Sequence, residues 1–103
     1  MIEVYYNDKT GRVMPDGHVI QYCTEQVQKI EHVDEVGSEF LLMAYRYAMK
    51  INNIPHDTIR FHFDHEDYGH NTVILDEDYN MICPEGERFM YPKLNIKMLM
   101  EFF

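Results

Sequence analysis

Tryptophan is absent from this 103-residue chain, serine occurs once, and there are only two cysteines. Cys23 and Cys83 stand too far apart for a Cys-x-x-Cys metal pair, and two thiols make no disulfide framework. They are expected to be small reduced hydrophobes. With Ser38 as the sole serine there is no G-x-S-x-G nucleophile turn, and neither G-x-x-x-x-G-K nor G-x-G-x-x-G occurs to cradle a phosphate. No apolar run approaches the roughly 18–20 residues that a bilayer-spanning helix needs. The first residues, Met1-Ile2-Glu3-Val4-Tyr5-Tyr6, read as a strand rather than a basic, apolar signal, so a cytoplasmic protein without membrane association is expected. Basic residues are scarce as well: nine against 18 acids, for a formal charge of −9. Such a chain repels phosphate backbones and anionic lipid, which argues against direct nucleic-acid or membrane-surface binding. Its natural partners are basic surfaces or cations.

What is present is enough for a core. Hydrophobic residues make up 46% and aromatic residues 14%, which argues against disorder, and the length fits one domain over residues 1–103. Ile2, Val4 and Tyr6 alternate with Glu3 and Tyr5 at the period of a strand. Asn7-Asp8-Lys9-Thr10-Gly11 is a turn, and Arg12-Val13-Met14 is expected to return as the second strand of a hairpin. Val19, Cys23, Val27 and Ile30 recur at helical spacing, which predicts a helix over about 18–33, although His18-Val19-Ile20-Gln21-Tyr22 also suits a strand. Ser38 is a good N-cap for a second helix over about 38–53, with Glu39 complementing the dipole. Leu41, Ala44, Tyr45, Ala48 and Ile51 mark its apolar face, Arg46 and Lys50 its polar face.

From Thr58 onward the period is two. Ile59, Phe61 and Phe63 face one way, and Arg60, His62 and Asp64 the other. Val73-Ile74-Leu75, Met81-Ile82-Cys83 and residues 88–91 follow as short strands between turns. Residues 94–103 are expected to form a long C-terminal strand. Segregated helices and strands predict an α+β fold: an N-terminal β-hairpin, two helices, then an antiparallel meander, with the helices on one face of the sheet.

Chemistry concentrates in one stretch. Between Arg60 and Arg88 there is no lysine or arginine, while Asp64, Glu66, Asp67, Asp76, Glu77, Asp78, Glu85 and Glu87 fall there. In a meander the turns at 64–71 and 84–87 share one end of the sheet, and the turn at 76–79 occupies the other. Spaced carboxylates on a rigid scaffold can imitate a phosphate backbone and occupy a basic groove. The leading expectation is therefore a non-enzymatic interaction protein without a cofactor. It would inhibit a partner protein through that partner's basic, nucleic-acid-binding surface, as phage-encoded inhibitors of host or defence enzymes do.

The alternative expectation rests on histidines. His62 and Asp64 share a strand face, and His65 and His70 lie in the following loop. Imidazoles with a carboxylate suit Zn²⁺ or another divalent transition metal, in a small metalloprotein or metal-dependent hydrolase. The spacing is neither H-E-x-x-H nor an EF-hand loop. Adjacent acids such as Asp34-Glu35 and Asp76-Glu77-Asp78 are expected to be solvated rather than held apart in pKa for acid–base work. Of Phe102 and Phe103, only one can face the core from a strand; the other could meet a second copy, giving a homodimer through the C-terminal strand.

Residues 37–89 resemble the C-terminal segment of OLD-like ABC-type ATPases. The resemblance lies in Ser38-Glu39 leading a helix, the strand Ile59 to Phe63, the acidic turn Asp76-Glu77-Asp78, and Pro84-Glu85-Gly86 with Phe89. It covers about half the chain and implies a similar packing of helix on meander. The histidine that precedes the Ser-Glu pair in those ATPases is Gly37 here, and their phosphate-binding loop and metal-binding carboxylates have no counterpart. No activity carries over.

Overall fold

The Ser38 hydroxyl accepts the backbone N–H of Leu41 at 3.1 Å and opens the helix that the sequence marks most clearly. In the computed structural model, which describes residues 1–65 and 69–83, this helix is one of two. The elements run β1 (Ile2–Tyr6), α1 (Asp16–Val27), β2 (His32–Val36), α2 (Glu39–Ile51), a short 3-10 turn (His56–Thr58), β3 (Ile59–His65), β4 (Gly69–Leu75) and β5 (Met81–Ile82). The five strands form one mixed sheet in the order β2-β1-β3-β4-β5. β1 pairs parallel with β2 and with β3, whereas β3, β4 and β5 form an antiparallel meander. The α+β class, the two helices and the meander are as expected. Glu66, Asp67, Glu85, Glu87, the strand at 88–91, the long C-terminal strand and Phe102-Phe103 lie outside the described residues.

The partner of β1 differs from the expected hairpin. Residues 12–14 do not return along β1; instead residues 32–36, expected to be the end of a helix and a link, form β2 beside it. The reason is local. Asn7 Oδ1 accepts the N–H groups of Lys9 and Thr10, and Gly11 N–H donates to Asn7 O, which bends the chain away from β1. Arg12 then brackets the end of β2: its N–H donates to Glu35 O and its C=O accepts from Gly37 N–H, both at 2.8 Å. The backbones at Gly11 and Gly37 touch closely enough that a Cβ on Gly11 would fall 2.2 Å from Val36 C. Helix α1 is correspondingly shorter than expected, ending at Val27, and leaves Ile30 90% exposed.

One sheet face is apolar. Ile2, Val4, Val36, Ile59, Phe61, Phe63, Val73, Leu75 and Met81 are buried in one cluster with Val19, Cys23 and Val27 of α1 and Leu41, Leu42, Tyr45, Ala48 and Met49 of α2. Two assignments on α2 are corrected. Ile51 is exposed, and Arg46 is buried, its Nε donating to Tyr79 O at 3.2 Å. A long guanidinium stem packs like a hydrophobe where its head finds a carbonyl, a possibility the charge pattern does not show.

Candidate functional site

The opposite sheet face is polar, and strand pairing aligns its side chains. The register sets Glu3 beside Arg60, Tyr5 beside His62, His62 beside Thr72, and Asp64 beside His70. Because β-strand side chains alternate with period two, all of these project from the face that is not the core. His70 belongs to strand β4, not to the loop expected from the sequence. His65 closes β3; its side chain lies outside the described residues.

The side chains form a continuous row. Glu3 Oε1 accepts from Arg60 Nε at 2.6 Å, and Glu3 Oε2 is 2.8 Å from His62 Nε2. His62 Nδ1 stands 3.2 Å from His70 Nε2, and His70 Nδ1 is 2.8 Å from Asp64 Oδ1. The Tyr5 ring stacks on His62 with centroids 4.4 Å apart and planes 15° from parallel, fixing the imidazole plane. His62 is the shielded member, its side chain 10% exposed, while His70 and Asp64 are open to water. Burial alone would raise the Glu3 carboxyl, but hydrogen bonds from His62 and Arg60, with the charge of Arg60, bring it below its ordinary value.

A hydrogen count constrains this row. Ionised carboxylates only accept, so Glu3 and Asp64 each take the N–H of one imidazole. Two neutral imidazoles bring only two such hydrogens. His62 Nδ1 and His70 Nε2 then face each other as two lone pairs, and that contact is satisfied by a third proton or by another cation. The ring centroids are 5.3 Å apart, so the two nitrogens lie between the rings, edge to edge.

Of the four-residue metal set expected from the sequence, the side chain of His65 lies outside the described residues. Asp64 turns to the far nitrogen of His70, and among the described residues no group of three or more His, Cys, Asp or Glu side chains is arranged to hold a metal ion. What sequence reading missed is Glu3, Tyr5 and Arg60. Glu3 is a charge in the middle of an apolar alternation, a signal of an exposed strand face, but its neighbour 57 positions away depends on a parallel pairing that no local pattern reveals.

The candidate acids divide. Asp64 lies near the end of β3, paired with His70 at the start of β4, and Asp76, Glu77 and Asp78 lie past the far end of β4, in the turn to β5. Asp76 Oδ1 accepts the N–H groups of Asp78 at 2.9 Å and Asn80 at 3.0 Å, so this carboxylate builds the turn. Glu77 and Asp78 are exposed and have no ion-pair partner among the described residues.

A second polar centre is structural. Asp34, expected to be a solvated acid, is buried on β2; its Oδ2 accepts from Tyr22 Oη and Tyr45 Oη, each at 2.6 Å, and its Oδ1 from Arg12 Nε at 3.3 Å. Burial, then the bond to Asp34, pushes the Tyr22 hydroxyl up to about 12, and the same two causes raise Tyr45. These groups tie α1, α2 and the Arg12 segment to the edge strand.

Among the described residues, an α+β fold with a mixed five-stranded sheet and an ordered polar row on one sheet face is thus the class that fold and site define. No protein-family model, no curated protein and no solved structure matches this chain. Among the described residues, no helix is long and apolar enough to cross a membrane.

Proposed function

We propose that this protein is a non-enzymatic interaction protein that inhibits its partner by covering a basic, nucleic-acid-binding surface, in the manner of phage proteins directed at host or defence enzymes. The β4–β5 turn carries the reading. Its backbone is pinned by Asp76 and by the mutual bonds of Asp76 and Asn80, with Asp76 N–H donating to Asn80 O at 3.0 Å. Glu77 and Asp78 are thereby held out in water on a rigid backbone, so little backbone freedom is lost when a cationic surface meets them. The chain's formal charge of −9 adds long-range attraction. Asp64, Glu66, Asp67, Glu85 and Glu87 complete the proposed contact set, and Asp76 positions the turn. The proposal includes a cytoplasmic setting, where both free cysteines stay reduced, and a homodimer through the C-terminal strand.

The test is capture of partners from cell extract on wild-type protein and on Glu77→Gln/Asp78→Asn, at low and high salt. A basic partner whose association rate falls with salt and in the double variant is expected. Capture indifferent to both changes overturns the reading.

A further inference from the structure

We propose that His62 and His70 form a two-imidazole chelate for a divalent transition metal of the Cu²⁺, Ni²⁺, Zn²⁺ class, with Nδ1 of His62 and Nε2 of His70 as the donors. Three observations converge on it. First, the donor atoms are 3.2 Å apart. At metal–nitrogen bonds of about 2.0–2.1 Å, cis donors stand about 2.9 Å apart at a right angle and about 3.3 Å apart at the tetrahedral angle. The observed spacing lies between; to bind one ion, both rings turn so that their lone pairs converge beside the line joining the two nitrogens.

Second, the outer nitrogen of each ring is held by a carboxylate: His62 Nε2 by Glu3 at 2.8 Å and His70 Nδ1 by Asp64 at 2.8 Å. Carboxylates that accept the far N–H of a ligating histidine fix its tautomer and raise its basicity. Here both carboxylates select the tautomers that leave the facing nitrogens unprotonated. Third, the charged surroundings of that gap favour a cation there. Glu3 and Asp64 bring two negative charges, and Arg60, the one cation in the row, is engaged with Glu3 Oε1 on the side away from the gap.

Asp64 therefore changes role relative to the sequence reading. It is an outer acceptor and not a ligand, and Glu3 is its counterpart. Two imidazoles with water in the remaining positions suit Cu²⁺ best, in line with the general affinity order Zn²⁺ < Cu²⁺ for nitrogen sites. This site shares Asp64 with the proposed contact set but not the β4–β5 turn that carries the inhibitor reading, and metal binding and partner capture are read separately, so either can fail while the other holds.

The experiment titrates Cu²⁺ and, separately, Zn²⁺ into chelator-treated, tag-free full-length protein. Calorimetry reads affinity and stoichiometry, and NMR of the imidazole protons reads location. One equivalent is expected, with Cu²⁺ the tighter, and with paramagnetic broadening confined first to His62 and His70. His70→Asn should lose about tenfold or more in affinity, and Glu3→Gln about 10–100-fold. His70 is half exposed, so its variant is expected to fold; circular dichroism checks that. The NMR readout needs no substitution at all. Broadening that begins at His18 or His56, or equal affinities in wild type and His70→Asn, overturns the proposal, as does the absence of binding in wild type.

Discussion

Tyr45 donates its hydroxyl to Asp34 Oδ2 at 2.6 Å, joining the centre of α2 to the edge strand β2 inside the core. Tyr22 of α1 reaches the same oxygen at the same distance. A buried carboxylate with two hydroxyl donors and a guanidinium is stable only as a set, because each member left alone keeps its desolvation cost. Tyr45 is fully buried, whereas Tyr22 is half-buried. Tyr45→Phe should therefore cost about 1.5–3 kcal/mol, the range for a hydrogen bond to a charged group, and Tyr22→Phe less. Asp34→Ala, which strands both hydroxyls, should cost about 3–5 kcal/mol. Urea unfolding of the three variants checks the order; a harmless Asp34→Ala would contradict it.

Gly11 and Gly37 supply a second, purely steric prediction. A Cβ at Gly11 would lie 2.2 Å from Val36 C, 2.3 Å from Val36 O and 2.4 Å from Gly37 N, all backbone atoms that cannot rotate away. Gly11→Ala must push the Arg12 segment off β2 and should cost about 2–3 kcal/mol, the upper range for overpacking. Gly17, in the first turn of α1, has open space where a Cβ would stand, with no atom within 4 Å. Gly17→Ala should instead stabilise the protein by about 0.5–1 kcal/mol through reduced chain entropy and better helix propensity. Thermal unfolding of the pair gives opposite signs.

These two centres also explain what could be read from the chain and what could not. α2 was legible because its cap, dipole charge and apolar spacing agree, and β3 because Ile59, Phe61 and Phe63 alternate cleanly with polar residues. β2 was not. His32-Val33-Asp34-Glu35-Val36 puts an aspartate in a core position, and that aspartate reads as solvated until Tyr22, Tyr45 and Arg12 are brought to it by tertiary structure. The hairpin expectation failed for the same kind of reason: a turn sequence fixes a bend at Asn7–Gly11 but not which strand the chain meets next. In the polar row, His62, Asp64 and His70 could be picked out by residue type, while Glu3 and Tyr5 come from a strand more than 50 positions away.

Cys23 has no access to solvent, and burial, then the nearby Asp34 charge, pushes its thiol well above the ordinary range. Cys83 is half-buried. A thiolate is the reactive form, so Cys23 should resist alkylation in the folded protein. Intact-mass analysis after brief maleimide treatment should show at most one label under native conditions and two in denaturant. Rapid native labelling of Cys23, located by peptide mapping, would mean that the α1–α2 contact opens far more readily than its packing implies.

Glu3 gives a pH prediction whose sign follows from its shift. Its folded pKa lies below the ordinary 4.5, held down by His62 and Arg60 against the opposing effect of burial. A carboxyl depressed on folding contributes stability that is fully present above the unfolded value and is lost as pH falls through the folded value. The contribution of Glu3 should thus be complete at neutral pH and begin to fade below about pH 4.5. Glu3→Gln removes the charge while keeping the shape. Wild type should be the more stable of the two at neutral pH, and the difference should shrink as the medium is acidified towards about pH 3, measured as the urea midpoint of each protein across that range. High salt should reduce the neutral-pH difference as well, because Arg60 is half exposed. A difference between the two proteins that stays constant from neutral to acidic pH would show that Glu3 acts through packing alone and not through its charge on His62 and Arg60.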